Sequence, residues 1–162
     1  MERKDEGKNR EIPHSHLYHA LLPIVFTIVW ILDSLILKLS IFLNDVIPFI
    51  VRAALFAVFL GTALLLIGLS HKALFNNGPS TTLVTEGIFS HTRNPMYLGI
   101  LFIYIAFIAL SISLISVALF LLILYVYTKM VNYEENILEE IFRDYREYKK
   151  RVPKWVPHFK SK

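Results

Sequence analysis

Arg93-Asn94-Pro95-Met96-Tyr97-Leu98-Gly99 opens an apolar run that continues to Tyr127, and Glu134-Glu135 stands shortly beyond its end. A basic motif and an acidic pair thus bracket a segment suited only to membrane or deep core. From Met96 to Val131 one continuous helix would be about 54 Å long, well over a hydrocarbon layer of about 30 Å. The run is therefore expected to double back, and the cluster of Ser111, Ser113 and Ser116 marks Ser111 to Ser116 as the break. Each limb is then a short span of roughly 15 to 18 residues. Such a hairpin returns Arg93, Tyr97 and the two carboxylates to one membrane face, a composition that suits a site better than a lipid-facing wall.

Two further spans precede it. Leu17 to Leu37 carries one charge, Asp33, and Val46 to Leu69 carries one charge, Arg52. The fold class expected is an all-α integral membrane protein with about four transmembrane helices. It divides into a tail (1–16), an anchoring hairpin (17–69) and a cofactor-binding and catalytic part (70–162), within one membrane domain. Of the 17 Lys and Arg, 9 lie from Lys129 onward and 4 in the first ten residues. Basic ends flanking apolar spans mark the cytoplasmic side, so both termini and the 71–95 loop are expected there. The first span is read as a retained anchor, since its leading segment has mixed charge and no small-residue cleavage site follows it. The basic balance is explained by membrane sidedness, and nucleic acid is not an expected partner.

Within the spans, Ala53, Ala57, Gly61 and Gly68 share one helix face and are expected to mark close helix packing. Asp33 and Arg52 lie at similar depth, which suggests an ion pair, snorkelling to the interface, or a polar wall at a substrate entrance. After the last span, Tyr133, Ile137, Leu138, Ile141, Tyr145 and Tyr148 recur at helical spacing among charges. They predict an amphipathic helix leaving the membrane, ended by Pro153 and Pro157. Lys154-Trp155 beyond it suits the interface.

Chemistry-bearing residues are few. Cys is absent, which excludes disulfides and a thiol nucleophile. His14, His16 and His19 lack a completing ligand set, so no metal is expected. Gly61 and Gly68 form no phosphate loop, and no glycine-rich nucleotide fingerprint occurs. Gly87 permits a tight turn before Arg93, and Pro95 suits the first turn of a helix. A guanidinium at a membrane surface can hold a carboxylate or phosphate by paired hydrogen bonds. Adjacent glutamates point about 100° apart on a helix, so one is expected to face the site and the other water.

Leu83-Val84-Thr85-Glu86-Gly87-Ile88-Phe89, the Arg93–Gly99 motif, Glu134-Glu135 and Tyr145-Arg146-Glu147-Tyr148-Lys149-Lys150-Arg151-Val152-Pro153, in this order, resemble the isoprenylcysteine carboxyl methyltransferase family. That family is related to the membrane phospholipid methyltransferases. The resemblance covers about residues 60 to 159. It implies a membrane enzyme that uses S-adenosyl-L-methionine, with the site on the cytoplasmic side. The acceptor it implies first is the carboxylate of an isoprenylcysteine-like substrate, a lipophilic or prenylated molecule that would enter from the bilayer, with membrane lipids around it. By motif match, His91, Asn94, Pro95, Tyr97, Leu98, Gly99 and Glu134 would shape the cofactor pocket, and Arg93 and Glu135 would stand closest to methyl transfer. Many relatives have His where Asn94 stands, and Asn cannot serve as a proton-transfer base. Other readings are a phospholipid-amine or thiol methyltransferase, a sterol-reductase-like enzyme using NADPH, and a non-catalytic membrane protein.

Overall fold

The computed structural model describes residues 15–76 and 83–156. Helix α1 (Ser15–Ile31) runs into a π-helical stretch, Leu32–Leu37, which ends where Lys38 turns left-handed. A short 3-10 turn (Phe42–Asp45) leads to α2 (Phe49–Asn76), and a second one (Gly87–Ser90) leads to α3 (Pro95–Ser111). Helix α4 (Leu114–Ile141) and the short α5 (Tyr145–Arg151) complete the described chain. The protein is all-α. Among the described residues, three helical stretches are long and apolar enough to cross a membrane: Leu17–Leu37, Phe49–Phe75 and Leu114–Ile141. Helix α3 is the shorter fourth, and its 17 residues rise about 26 Å, at the low end of what spans hydrocarbon.

The expected hairpin is present, and its limbs are unequal. The chain reverses at Ile112 (φ 45), a left-handed conformation that a β-branched residue adopts at a cost of about 1–2 kcal/mol. Local hydrogen bonds hold it. The Ile112 amide closes onto the Ile108 carbonyl, and the Ser113 hydroxyl caps α4 by accepting from the Ser116 amide at 2.9 Å. The second limb is not a short span. It continues beyond the apolar run to Ile141 and carries Glu134 and Glu135 with it.

The single amphipathic helix expected after the last span is instead divided. Phe142 adopts an extended conformation (φ −112, ψ 113) and ends α4, and α5 restarts at Tyr145. The apolar positions divide with it. Tyr145, Tyr148 and Val152 form a buried cluster with Leu83, Leu138 and Phe142, whereas Tyr133 and Ile141 are exposed. Helix α5 ends at Arg151, just before Pro153, while Pro157 lies outside the described residues.

Helix α2 packs along α3, and α1 along α4. The α2–α3 contact is tightest where Gly99 meets α2. A Cβ there would lie 2.7 Å from Ile67 Cγ1 and 3.0 Å from the Ala63 carbonyl. The small-residue face expected on α2 is therefore misplaced. Gly61 and Gly68 are exposed with open space around them, and the buried face runs through Ala63, Leu66 and Ser70. Close approach comes from the glycine of the partner helix, which leaves the α2 glycines free to face outward. The main core gathers Phe26 of α1, Leu101 and Tyr104 of α3, and Ile123, Tyr127 and Met130 of α4.

The proposed Asp33–Arg52 ion pair is not formed. Asp33 Oδ1 accepts from the Leu39 and Ser40 amides, each at 3.1 Å. Its Oδ2 accepts from the hydroxyls of Ser40 and Ser113, the latter at 2.5 Å. Arg52 donates instead to the carbonyls of Leu110 (2.8 Å) and Ile47 (3.2 Å) and lies over the Phe49 ring. Each charge finds local partners at the turn ends, which removes the drive to pair across the bundle.

Candidate active site

The Arg93 motif and the acidic pair meet at the end of the hairpin opposite the Ile112 turn. The approach to Arg93 is set by Gly87, whose φ of 62 favours glycine, and by a 3-10 turn ending at Ser90. Thr92, fully buried, donates its hydroxyl to the carbonyls of Lys154 (3.0 Å) and Trp155 (3.2 Å). The Arg93 amide donates to the Pro153 carbonyl at 3.0 Å. These bonds fasten the segment after α5 across the start of α3. Pro95 then begins α3 at the position where its missing N–H costs no helical bond.

Glu135 is the centre of the polar set, with only 2% of its side chain exposed. Arg93 grips it with two donors, Nε to Oε1 at 3.1 Å and Nη2 to Oε2 at 3.4 Å. Arg93 Nη1 meanwhile donates to the Lys149 carbonyl at 2.7 Å. Asn94 Nδ2 donates to Glu135 Oε1 at 3.0 Å and also reaches the Lys154 carbonyl. Lys154 Nζ stands 3.2 Å from Oε2 and also contacts Asn132. Lys149 Nζ is 3.9 Å from Glu135 and 2.5 Å from Glu139. A carboxylate buried this deeply is stable only with such charged and hydrogen-bonding company.

Glu134 does not simply face water, as one of the pair was expected to. It accepts a 2.5 Å hydrogen bond from the Tyr97 hydroxyl, which also lies 3.3 Å from His19 Nε2. The two glutamates thus engage different neighbours, Glu135 the C-terminal segment and Glu134 the α1 side of the bundle. Tyr145 and Tyr148 close the floor behind Arg93. Burial, followed for Tyr145 by the nearby Glu135 charge, pushes both phenols well above their ordinary range, so they remain neutral donors. The Tyr148 hydroxyl donates to the Phe89 carbonyl at 2.6 Å.

Arg93, Asn94, Glu135, Tyr97 and Glu134 are therefore brought together. Pro95 is buried at the helix start and Gly99 sits against α2, so both shape the backbone around the site. His91 bonds within its own turn, to Ser90 and the Gly87 carbonyl. Leu98 is half-buried on α3. Sequence reasoning missed Thr92, Lys149 and Lys154 as members of the set. Lys149 lies inside the C-terminal motif already singled out, and Lys154 directly follows it. His14 lies outside the described residues.

The family model described as Phospholipid methyltransferase matches residues 53–145, from α2 through the acidic pair to the start of α5. This match covers more than half of the chain. The protein belongs to the phospholipid methyltransferase family. The match is to this broader family and not to its isoprenylcysteine branch. No curated protein and no solved structure matches the chain. Family membership gives a membrane methyltransferase and sets that reading above the NADPH reductase and the non-catalytic protein. The matched segment contains Arg93, Asn94, Tyr97, Glu134 and Glu135, whereas Lys149, Lys154 and His19 lie outside it.

Proposed function

We propose that this phospholipid methyltransferase family member moves a methyl group from S-adenosylmethionine to a lipophilic acceptor that enters from the bilayer on the cytoplasmic side. The observation that carries this reading is the two-point grip of Arg93 on buried Glu135, closed by Asn94 and Lys154, at the open end of an apolar hairpin. The residues suit the cofactor. Lys149 and Lys154 supply cations for a carboxylate, and Glu134 supplies an anion for a sulfonium or ammonium group. When bound, the cofactor brings a methyl group already activated by its sulfonium. The chain has to align the acceptor and keep water away, and it needs neither a metal nor a strong base.

The acceptor favoured here is a phospholipid amine. Arg93 is engaged by Glu135 and by the Lys149 carbonyl, which argues against its use as a clamp for an acceptor carboxylate. A headgroup ammonium has to shed a proton before its nitrogen attacks, and Glu134 is a carboxylate at hand for it. The second reading is the isoprenylcysteine carboxylate, supported by the likeness of Tyr145 to Pro153 to that branch. Purified protein in nanodiscs would be given methyl-labelled S-adenosylmethionine with phosphatidylethanolamine, with a farnesylcysteine analogue, or with a small thiol. Label that enters the lipid and stays non-volatile after alkali, as an N-methyl group does, supports the amine, and label released by alkali as methanol supports the carboxylate. Absence of transfer to all three by folded protein overturns the proposal.

A further inference from the structure

His19 stands at the first turn of the apolar stretch of α1, well before the segment that matches the family. It is not a bystander on a lipid face. Its ring packs against Tyr97 (centroids 5.5 Å apart) and Tyr127 (5.9 Å), and Tyr97 meets Tyr127 edge-on at 5.7 Å. Three helices, α1, α3 and α4, thus converge on one hydroxyl. The direction of the hydrogen bonds there is decided by chemistry. The Tyr97 O–H has a single proton, and the 2.5 Å contact commits it to the Glu134 carboxylate, which can only accept. The 3.3 Å contact from His19 Nε2 must then run the other way, with the ring N–H donating to the phenol oxygen. The neutral ring is therefore the Nε2–H tautomer, or the ring is cationic.

We infer that His19 is a positioning residue of the methyl-transfer site: by donating to Tyr97 it holds the tyrosine proton on Glu134 and so fixes the orientation of that carboxylate. The inference rests on the reading of Glu134 as part of the site. It adds a requirement that the matched family segment does not contain, namely α1 as a third wall. A polar side chain near an apolar stretch needs such a partner, and here the partner, Tyr97 on α3, is itself bonded to one of the acidic pair on α4. Because the chain of donors has one sense, its first member matters to the last.

The test uses the full-length protein in nanodiscs. With phosphatidylethanolamine as acceptor, rates are normalised to S-adenosylhomocysteine binding sites so that unfolded protein does not count. His19→Phe keeps the ring packing and removes the donor, and it should lower the rate roughly five- to tenfold, the worth of one hydrogen bond. His19→Gln places an N–H near the same point and should restore most of it. In a Tyr97→Phe background His19→Phe should cost nothing further, since both act through one chain. A role in packing alone would give losses that are additive and not rescued by Gln, which overturns the inference. The second measurement needs no turnover. Nitrogen-15 NMR of histidine-labelled protein, assigned with His19→Gln, should show a protonated Nε2 at His19 whose shift moves in Tyr97→Phe. An unprotonated Nε2 overturns the inference whether or not any acceptor is methylated. Normal turnover in His19→Phe overturns it and leaves the methyltransferase reading intact.

Discussion

The two ends of the α3–α4 hairpin each bury a carboxylate, Asp33 at 3% exposure and Glu135 at 2%, and they stabilise it in opposite ways. Asp33 is caged by neutral donors, two amides and two serine hydroxyls, drawn from the turn after α1 and the Ile112 turn. These donors sit on backbone and short side chains, and the cage ties α1 to the hairpin. Further bonds support the same junction, with Trp30 Nε1 donating to the Phe107 carbonyl and Ser34 to Ser111. Glu135 is held by Arg93, Asn94 and Lys154, three longer side chains from two separate segments. Two of the donors at Glu135, Arg93 and Lys154, are cationic, whereas every donor at Asp33 is neutral. One carboxylate ties the fold at its turn, and the other lies among the residues proposed for the site.

The contrast is broken most forcefully at Glu135. Glu135→Ala leaves Arg93, with a side chain 7% exposed, as an uncompensated buried charge. Breaking a buried pair from one side costs about 3–5 kcal/mol, and methyl transfer should fall below detection. Thermal unfolding in nanodiscs, with the radiolabel assay, reads both. Asp33→Ala is expected to separate these two outcomes. It orphans buried donors at the other end and costs about 1–3 kcal/mol, yet the rate per folded molecule should stay at the starting level. Loss of turnover in folded Asp33→Ala protein would mean that the two ends are not functionally distinct.

Gly99→Ala probes the scaffold between the ends. The added methyl would sit against the Ala63 backbone and Ile67, neither of which yields without moving α2. The expected loss is about 1–3 kcal/mol, with Gly61→Ala and Gly68→Ala as neutral controls on the open face. A smaller effect belongs to the floor of the site. The phenols of Tyr145 and Tyr148 are raised by burial above the unfolded value of about 10. In strong alkali the unfolded chain loses these protons first, so stability is fully present below pH ~10 and declines above it. Replacing both residues by Phe should flatten that decline in a pH series of unfolding midpoints.

Much of this was legible beforehand because period and length are strong signals. The doubling back of the 96–131 run, the break among its serines and the meeting of Arg93 with Glu135 follow from apolar length and turn chemistry. What escaped depends on the third dimension. Which face of α2 packs is decided by Gly99 on its neighbour, and a small-residue stripe read within one helix gives no sign of that. Lys154 enters the site because Thr92 and the Arg93 amide fasten the 153–155 backbone, a link between segments about sixty residues apart. The division of the amphipathic helix at Phe142 has no proline or glycine to announce it.

The smallest expected effect is the sharpest test of the comparison. Similar depth in the membrane made Asp33 and Arg52 look like a pair, and their separate partners show two independent charges. A double-mutant cycle with Asp33→Leu and Arg52→Leu should then give a coupling below about 0.5 kcal/mol, as for residues without shared partners. The same cycle with Arg93→Leu and Glu135→Leu should give about 0.5–3 kcal/mol, because removing both members costs less than the two single losses together. Arg52→Leu alone loses two bonds to carbonyls that stand near the ends of α3 and of the turn before α2, so its own cost is about 1 kcal/mol. A strong coupling between Asp33 and Arg52 would require the two to reach each other in a second arrangement of the α1–α2 connection. The Asp33 cage would then be one of two states, and the rigid end of the molecule would have to be reassigned.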